Sequence, residues 1–216
     1  MKTWMHCLRL AVIGMCVVTT GVWATEQDDQ QQSAFGLRFS LPEGWMALTS
    51  TQLNSLREST SADTPLAIPD ALLSRLMEAV NSGQMAVYFN TPTNGTGFAD
   101  NIAIYPTSDA VPETRDAIRR VCRQLPELLS QQMKRNIQLN QCRSIDVAGH
   151  AGLQLAYIGG AKRTQVIQVM AQRDEETSLL VTMTYHQDSD RNSKRGLQQL
   201  LTSAEWVAEP TSPQSP

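Results

Sequence analysis

The chain has 216 residues, 18 basic and 21 acidic, with a formal net charge of −3 and 41% hydrophobic residues. It is long enough to bury a sizeable core as one domain. Its acidic balance argues against nucleic acid as the main partner.

Residues 1–24 read as an export signal. Lys2 and Arg9 supply positive charge, Leu10 to Val18 is a short apolar run, and Val22-Trp23-Ala24 is a small-x-small site with cleavage expected after Ala24. The apolar run is too short to span a bilayer, so no transmembrane anchor is expected after cleavage. Cys16 offers the alternative of a lipid-modified signal, but Met15 before it is larger than the residue such signals carry. Removing the segment takes away Lys2, Arg9 and no acid, which moves the formal charge from −3 to −5. The expected location is periplasmic or secreted. Cys7 and Cys16 leave with the signal, and Cys122 and Cys142, one on a predicted helix and one on a predicted strand, read as a single disulfide.

Residues 25–34, rich in Gln and Asp without an apolar period, read as a mobile leader; a folded domain is expected over 35–207. Phe35, Leu37 and Phe39 alternate with Gly36, Arg38 and Ser40 as a strand. Leu41-Pro42-Glu43-Gly44-Trp45 then turns the chain, with Trp45 capping the core beside the turn. Thr49 or Ser50 is placed to cap a short helix to about Glu58, with Leu53 and Leu56 inward. Asp70 to Ser82 is a helix, because Leu72, Leu73, Leu76, Met77 and Val80 fall at helical spacing and Gly83 stands where a terminating glycine belongs. Met85, Val87 and Phe89, then Ile102 and Ile104, alternate as two strands joined by the loop Thr91 to Gly97.

A long helix begins near Pro112, which suits a first-turn position, with Glu113 and Asp116 complementing its N-terminus. Ile118, Val121, Cys122 and Leu125 form its buried stripe. At about 100° per residue, Arg115, Arg119 and Arg123 form a second stripe well away from the first. Pro126 removes a backbone donor, so a kink or break is expected there, with Leu128, Leu129 and Met133 continuing the apolar face. Ile137 to Val147, Leu153 to Ile158, Thr164 to Arg173 and Ser178 to Tyr185 are four strands with short connections, an antiparallel meander whose first turn is Gly149-His150-Ala151-Gly152. Arg191 to Ser203 is a last helix with Leu197, Leu200 and Leu201 inward, and Trp206 packs as the chain returns to the sheet. Residues 208–216 read as a disordered tail rich in Pro and Ser.

The opening strand with Leu41-Pro42-Glu43-Gly44-Trp45, the Asn101-Ile102-Ala103-Ile104 strand before a long helix, and the late meander with Gly149 in its first turn resemble the PsbP-like superfamily, which includes the bacterial envelope protein DcrB. The resemblance covers roughly residues 35 to 207. It implies an α+β fold, an antiparallel sheet sandwiched between helices on both faces in a PsbP-like α/β/α sandwich. It implies partner binding and no shared catalytic set, and a fold-level likeness leaves function to be argued from the site.

Three features carry the candidate chemistry. Cys122 and Cys142 lack a Cys-x-x-Cys spacing or clustered His, so the pair reads as a structural staple, about 3 kcal/mol on the chain-entropy estimate. Cys142 has the parity of Ser144 and Asp146, opposite to Leu139, Ile145 and Val147; either the long helix covers that face or a bulge shifts the phase. His186, Asp188 and Asp190 at alternate positions are weak candidates for a divalent cation, against the plainer reading of a polar loop that caps the last helix. Arg115, Arg119, Arg120 and Arg123, with Lys134 and Arg135 beyond, form the densest basic run, a solvated face or a contact for an envelope protein or an anionic surface. Asn94-Gly95-Thr96-Gly97 lacks the Lys and the following helix of a phosphate loop, and His150 reads as a turn residue. The expectation is an exported, non-enzymatic binding or accessory protein with no cofactor, acting through Arg115, Arg119 and Arg123; the alternative is a small-molecule or metal-dependent enzyme with a site near His186.

Overall fold

The computed structural model describes residues 30–49, 51, 70–90, 99–189 and 191–208. The export signal, most of the short helix expected after Thr49, the loop Thr91 to Gly97 and nearly all of the tail lie outside these residues. In chain order the elements are β1 (Gln30–Gln32), β2 (Leu37–Ser40), β3 (Trp45–Ala47), α1 (Asp70–Asn81), β4 (Ala86–Asn90) and β5 (Asp100–Thr107). They continue with α2 (Arg115–Met133), β6 (Leu139–Val147), β7 (His150–Ile158), β8 (Thr164–Gln172), β9 (Ser178–His186), α3 (Arg191–Ser203) and β10 (Glu205–Trp206). The fold is mixed α+β: seven strands form an antiparallel sheet in the order β3-β4-β5-β9-β8-β7-β6, and three form a small sheet, β1-β2-β10.

The alternation in the sequence becomes a division of side chains. On β8, Val169 and Ala171 join the largest core cluster, with Ile102, Ile104, Val181 and Met183 beside them and Leu197 and Leu200 of α3 above. At the alternate positions of the same strand, Met170 packs with Leu153, Leu155 and the α2 residues Ile118, Val121 and Leu125, and Val166 packs with Tyr157, Ile137 and Leu129. Successive residues of a strand point to opposite faces, so one strand serves two apolar clusters. The small sheet adds Leu37 and Phe39 to the α3 cluster, and Phe39 meets Tyr88 edge to face at 5.2 Å. Trp45 begins β3 and is buried under α3, where a Cβ on Gly196 would stand 2.6 Å from Cζ2 of its indole. Only glycine lets the helix approach that closely.

Four local expectations change. Gln30–Gln32 pairs antiparallel with β2, so the segment expected as a mobile leader contributes a strand; glutamines carry no apolar period, and edge pairing through the backbone needs none. The long helix starts three residues later than Pro112 suggests, because Thr114 is its cap and accepts from Ala117 N at 3.1 Å. Pro126 does not break it: Arg115–Met133 is one helix. Just beyond the proline, Ser130 Oγ donates to Pro126 O and accepts from Ile137 N at 2.8 Å, tying the helix end to the approach to β6. Finally, the β6–β7 turn is only Ala148-Gly149, both left-handed at φ 53° and 83°, and His150 already belongs to β7.

The phase of Cys142 has both of the causes considered. The register shifts between Leu139 and Gln141, so a bulge at Asn140 puts Leu139 and Cys142 in the same cluster, under α2. Beyond it Ile145 and Val147 reach the α3 cluster.

Candidate interaction surface

Helix α2 turns Ile118, Val121, Cys122 and Leu125 toward the sheet, which leaves Arg115, Arg119, Arg120 and Arg123 exposed on its outer side. Arg115, Arg119 and Arg123 are spaced four apart, neighbours along one row of a helix. Arg119 meets Asp116 at 2.7 Å, but both side chains are open to water, 69% and 75%, so the pair is weak and salt-sensitive. Among the described residues, Arg115, Arg120 and Arg123 make no ion pair. The row is fixed from beneath by a disulfide between Cys122 and Cys142, with Cα atoms 5.8 Å apart, in the normal range for such a bridge.

The loop after β9 has a different character. His186 N and Ser189 Oγ both donate to Asp100 Oδ1, each at 2.8 Å, and Asp100 is almost wholly buried at the start of β5. Asp188 N donates to His186 Nδ1 at 3.2 Å, which leaves that nitrogen an acceptor in this arrangement. Asp188 Oδ1 takes Arg163 Nη2 at 2.7 Å. Two of the three candidate ligands are thus engaged in holding the loop, and Asp190 lies outside the described residues. Among the described residues no group of three or more His, Cys, Asp or Glu side chains is arranged to hold a metal ion. The geometry locks the end of the sheet to the start of α3, with Asn90 Nδ2 donating to the buried Ser193 Oγ from the neighbouring strand end.

No protein-family model matches the chain, and no curated protein sequence matches it. Solved structures resemble it in part. Cyanobacterial PsbP (CyanoP) from Synechocystis sp. PCC 6803 aligns over 82% of this chain and 91% of its own, at 11% identity and a TM-score of 0.47. The Saccharomyces cerevisiae Ran-binding protein Mog1p aligns over 80% of this chain and 90% of its own, at 10% identity and a TM-score of 0.45. PA94 from Pseudomonas aeruginosa, a protein of unknown function, aligns over 59% of this chain and 84% of its own, at 19% identity and a TM-score of 0.43. At TM-scores below 0.5 these likenesses assign neither family nor activity.

Two residues that hold the loop after β9 escaped the sequence. Asp100 holds two donors at once, and its one signal is position: a carboxylate opening an otherwise apolar strand has to find partners when that strand is buried. Its charge also adds to the burial that pushes the Tyr185 phenol above its ordinary range. Arg163 lies 25 residues from Asp188, a separation no local pattern exposes.

Proposed function

We propose that this is an exported, non-enzymatic accessory protein of the bacterial envelope, PsbP-like and related to DcrB, which works by presenting the outer face of α2 to a protein partner. The observation that carries the reading is the exposed row Arg115, Arg119 and Arg123 on a single uninterrupted helix, two of its three guanidiniums without an acidic partner. An unneutralised cationic row on a net acidic chain favours an acidic partner surface and speeds encounter with it. The α/β/α sandwich is supported by the alternate residues of β8 that separate the α3 cluster from the α2 clusters. Export is supported by the pattern of residues 1–24 and by the compartment in which a Cys122–Cys142 bridge persists.

Affinity capture from the native envelope, followed by mass spectrometry, tests the reading. Arg119→Glu with Arg123→Glu is expected to weaken recovery of the partner about tenfold or more while leaving the melting temperature unchanged. Equal recovery by the variant would remove the row from the proposal, and two free thiols in the exported protein would remove the compartment.

A further inference from the structure

The meander sorts charge along the strands. Strands β6 to β9 are each nine residues long, so their ends form two poles about 27 Å apart. The β8–β9 hairpin at one pole exposes Asp174, Glu175 and Glu176. The β7–β8 hairpin at the other exposes Lys162 and Arg163.

Two more elements deliver cations to that second pole. Arg135, just past the end of α2, donates from Nη2 to Ile158 O at 2.7 Å, and Lys134 beside it is exposed. On the other flank Gln187 N donates to Arg163 O at 2.8 Å, and Lys194 Nζ of α3 donates to Gln187 O at 2.7 Å. A continuous run of contacts therefore gathers Lys134, Arg135, Lys162, Arg163 and Lys194 at one end of the sheet. Among the described residues the acids facing them are Asp188, already paired with Arg163, and the buried Asp100; Glu43 belongs to the far edge, beside β3 and four strands from β8. The same rim carries apolar side chains in water. Ile158 is 54% exposed between the two basic segments, and Met133, 39% exposed, ends α2 next to Lys134.

We propose that this basic pole is a docking face for an anionic bilayer, with Lys134, Arg135, Lys162, Arg163 and Lys194 on the headgroups and Ile158 and Met133 entering the interface. The combination decides the occupant. Surface cations spread over separate elements suit a broad charged plane, and exposed aliphatic side chains raised among them gain from the headgroup boundary. This face is distinct from the outer row of α2, so the two contacts fail separately.

The test is flotation of the full chain with vesicles of phosphatidylethanolamine, with and without about one quarter phosphatidylglycerol. Adding the anionic lipid is expected to raise binding at least about tenfold, and about 1 M salt to abolish the gain. Lys134→Glu with Lys162→Glu, both exposed and outside every ion pair described, should remove the gain; Ile158→Ser should reduce it severalfold at unchanged charge. Arg119→Glu with Arg123→Glu should leave it intact. No gain with phosphatidylglycerol, or an equal gain for the Lys134→Glu, Lys162→Glu variant with an unchanged melting temperature, would overturn the proposal. Loss of an acidic envelope protein by that variant, without any vesicle effect, would overturn it in favour of a protein ligand.

Discussion

Helices α2 and α3 hold to the sheet by different means. α3 has 13 residues and sinks Ser193, Gly196, Leu197 and Leu200 completely; α2 has 19 and buries none. α3 needs no covalent help, because its Gly196 lets it settle on Trp45 and its leucines fill the main core. α2 rests on half-buried side chains and is secured by Thr114 at its start, Ser130 near its end and the disulfide between. Packing holds one helix and fastenings hold the other. A helix held by fastenings can keep a polar outer face and still stay in place, which is what a presenting surface requires.

The largest effect should come from breaking the packed side. Leu200 is fully buried, and Leu200→Ala should cost about 3 kcal/mol, since the cavity adds to the lost transfer energy. Leu125→Ala on α2, half-buried, should cost about 1 kcal/mol. Denaturant unfolding of the two variants reads the contrast directly, and equal losses would mean that α2 is packed as α3 is.

Next is the fastening itself. Replacing Cys122 and Cys142 by serine should cost about 3 kcal/mol, through the loop entropy that the bridge removes from the unfolded chain. The location of the loss matters more than its size: amide exchange should quicken over 115–133 and stay slow over 191–203. If both helices loosen together, the bridge stabilises the domain as a whole and the distinction between the two helices fails.

Alkaline pH should probe the packed side from within. Burial pushes the Tyr88 phenol up to about 12, while in the unfolded chain it ionises near 10. Stability is therefore complete below pH 10 and falls as pH rises from 10 toward 12, by about 1 kcal/mol in the first unit. Tyr157, under α2, is also raised by burial, but the charge of Arg135 opposes that shift. Tyr88→Phe keeps the edge contact with Phe39 and should remove its share of the alkaline loss; a curve unchanged by the substitution would show that Tyr88 does not control it.

The packed side was also the more legible side. Period two in β2, β5, β8 and β9, and the spacing of Leu197 and Leu200 in α3, state burial directly, because a deeply buried face is mostly apolar. On the α2 side the pattern is interrupted wherever a fastening stands in for packing. The bulge at Asn140 changes the phase of β6 without any glycine or proline to announce it, and Ser130 holds a helix end that Pro126 alone would have marked as a break. The row of Arg115, Arg119 and Arg123 was visible because one helix carries it. The opposite holds for Lys134, Lys162 and Lys194, which sit in three separate segments and meet only once antiparallel pairing has folded the strands back on one another.

The smallest effect tests how far the fastenings reach. Ala148 is left-handed in the two-residue turn between β6 and β7, a conformation that costs an ordinary L-residue about 1 kcal/mol and one that Asn or Gly adopts more readily. The turn is already supported by Gly149 N, which donates to Asp146 Oδ1 at 2.9 Å. Ala148→Asn should therefore stabilise the protein by about 0.5 kcal/mol, and Ala148→Val should destabilise it, because a branched Cβ is worse still at that φ. Strand β6 has β7 as its one strand neighbour in the seven-stranded order, and α2 is bonded to β6 through Cys142. A firmer turn should thus slow exchange in β6 and in α2 while leaving α3 as it was. If protection rises equally in both helices, the turn acts on the whole domain and α2 with β6 is not an independent unit.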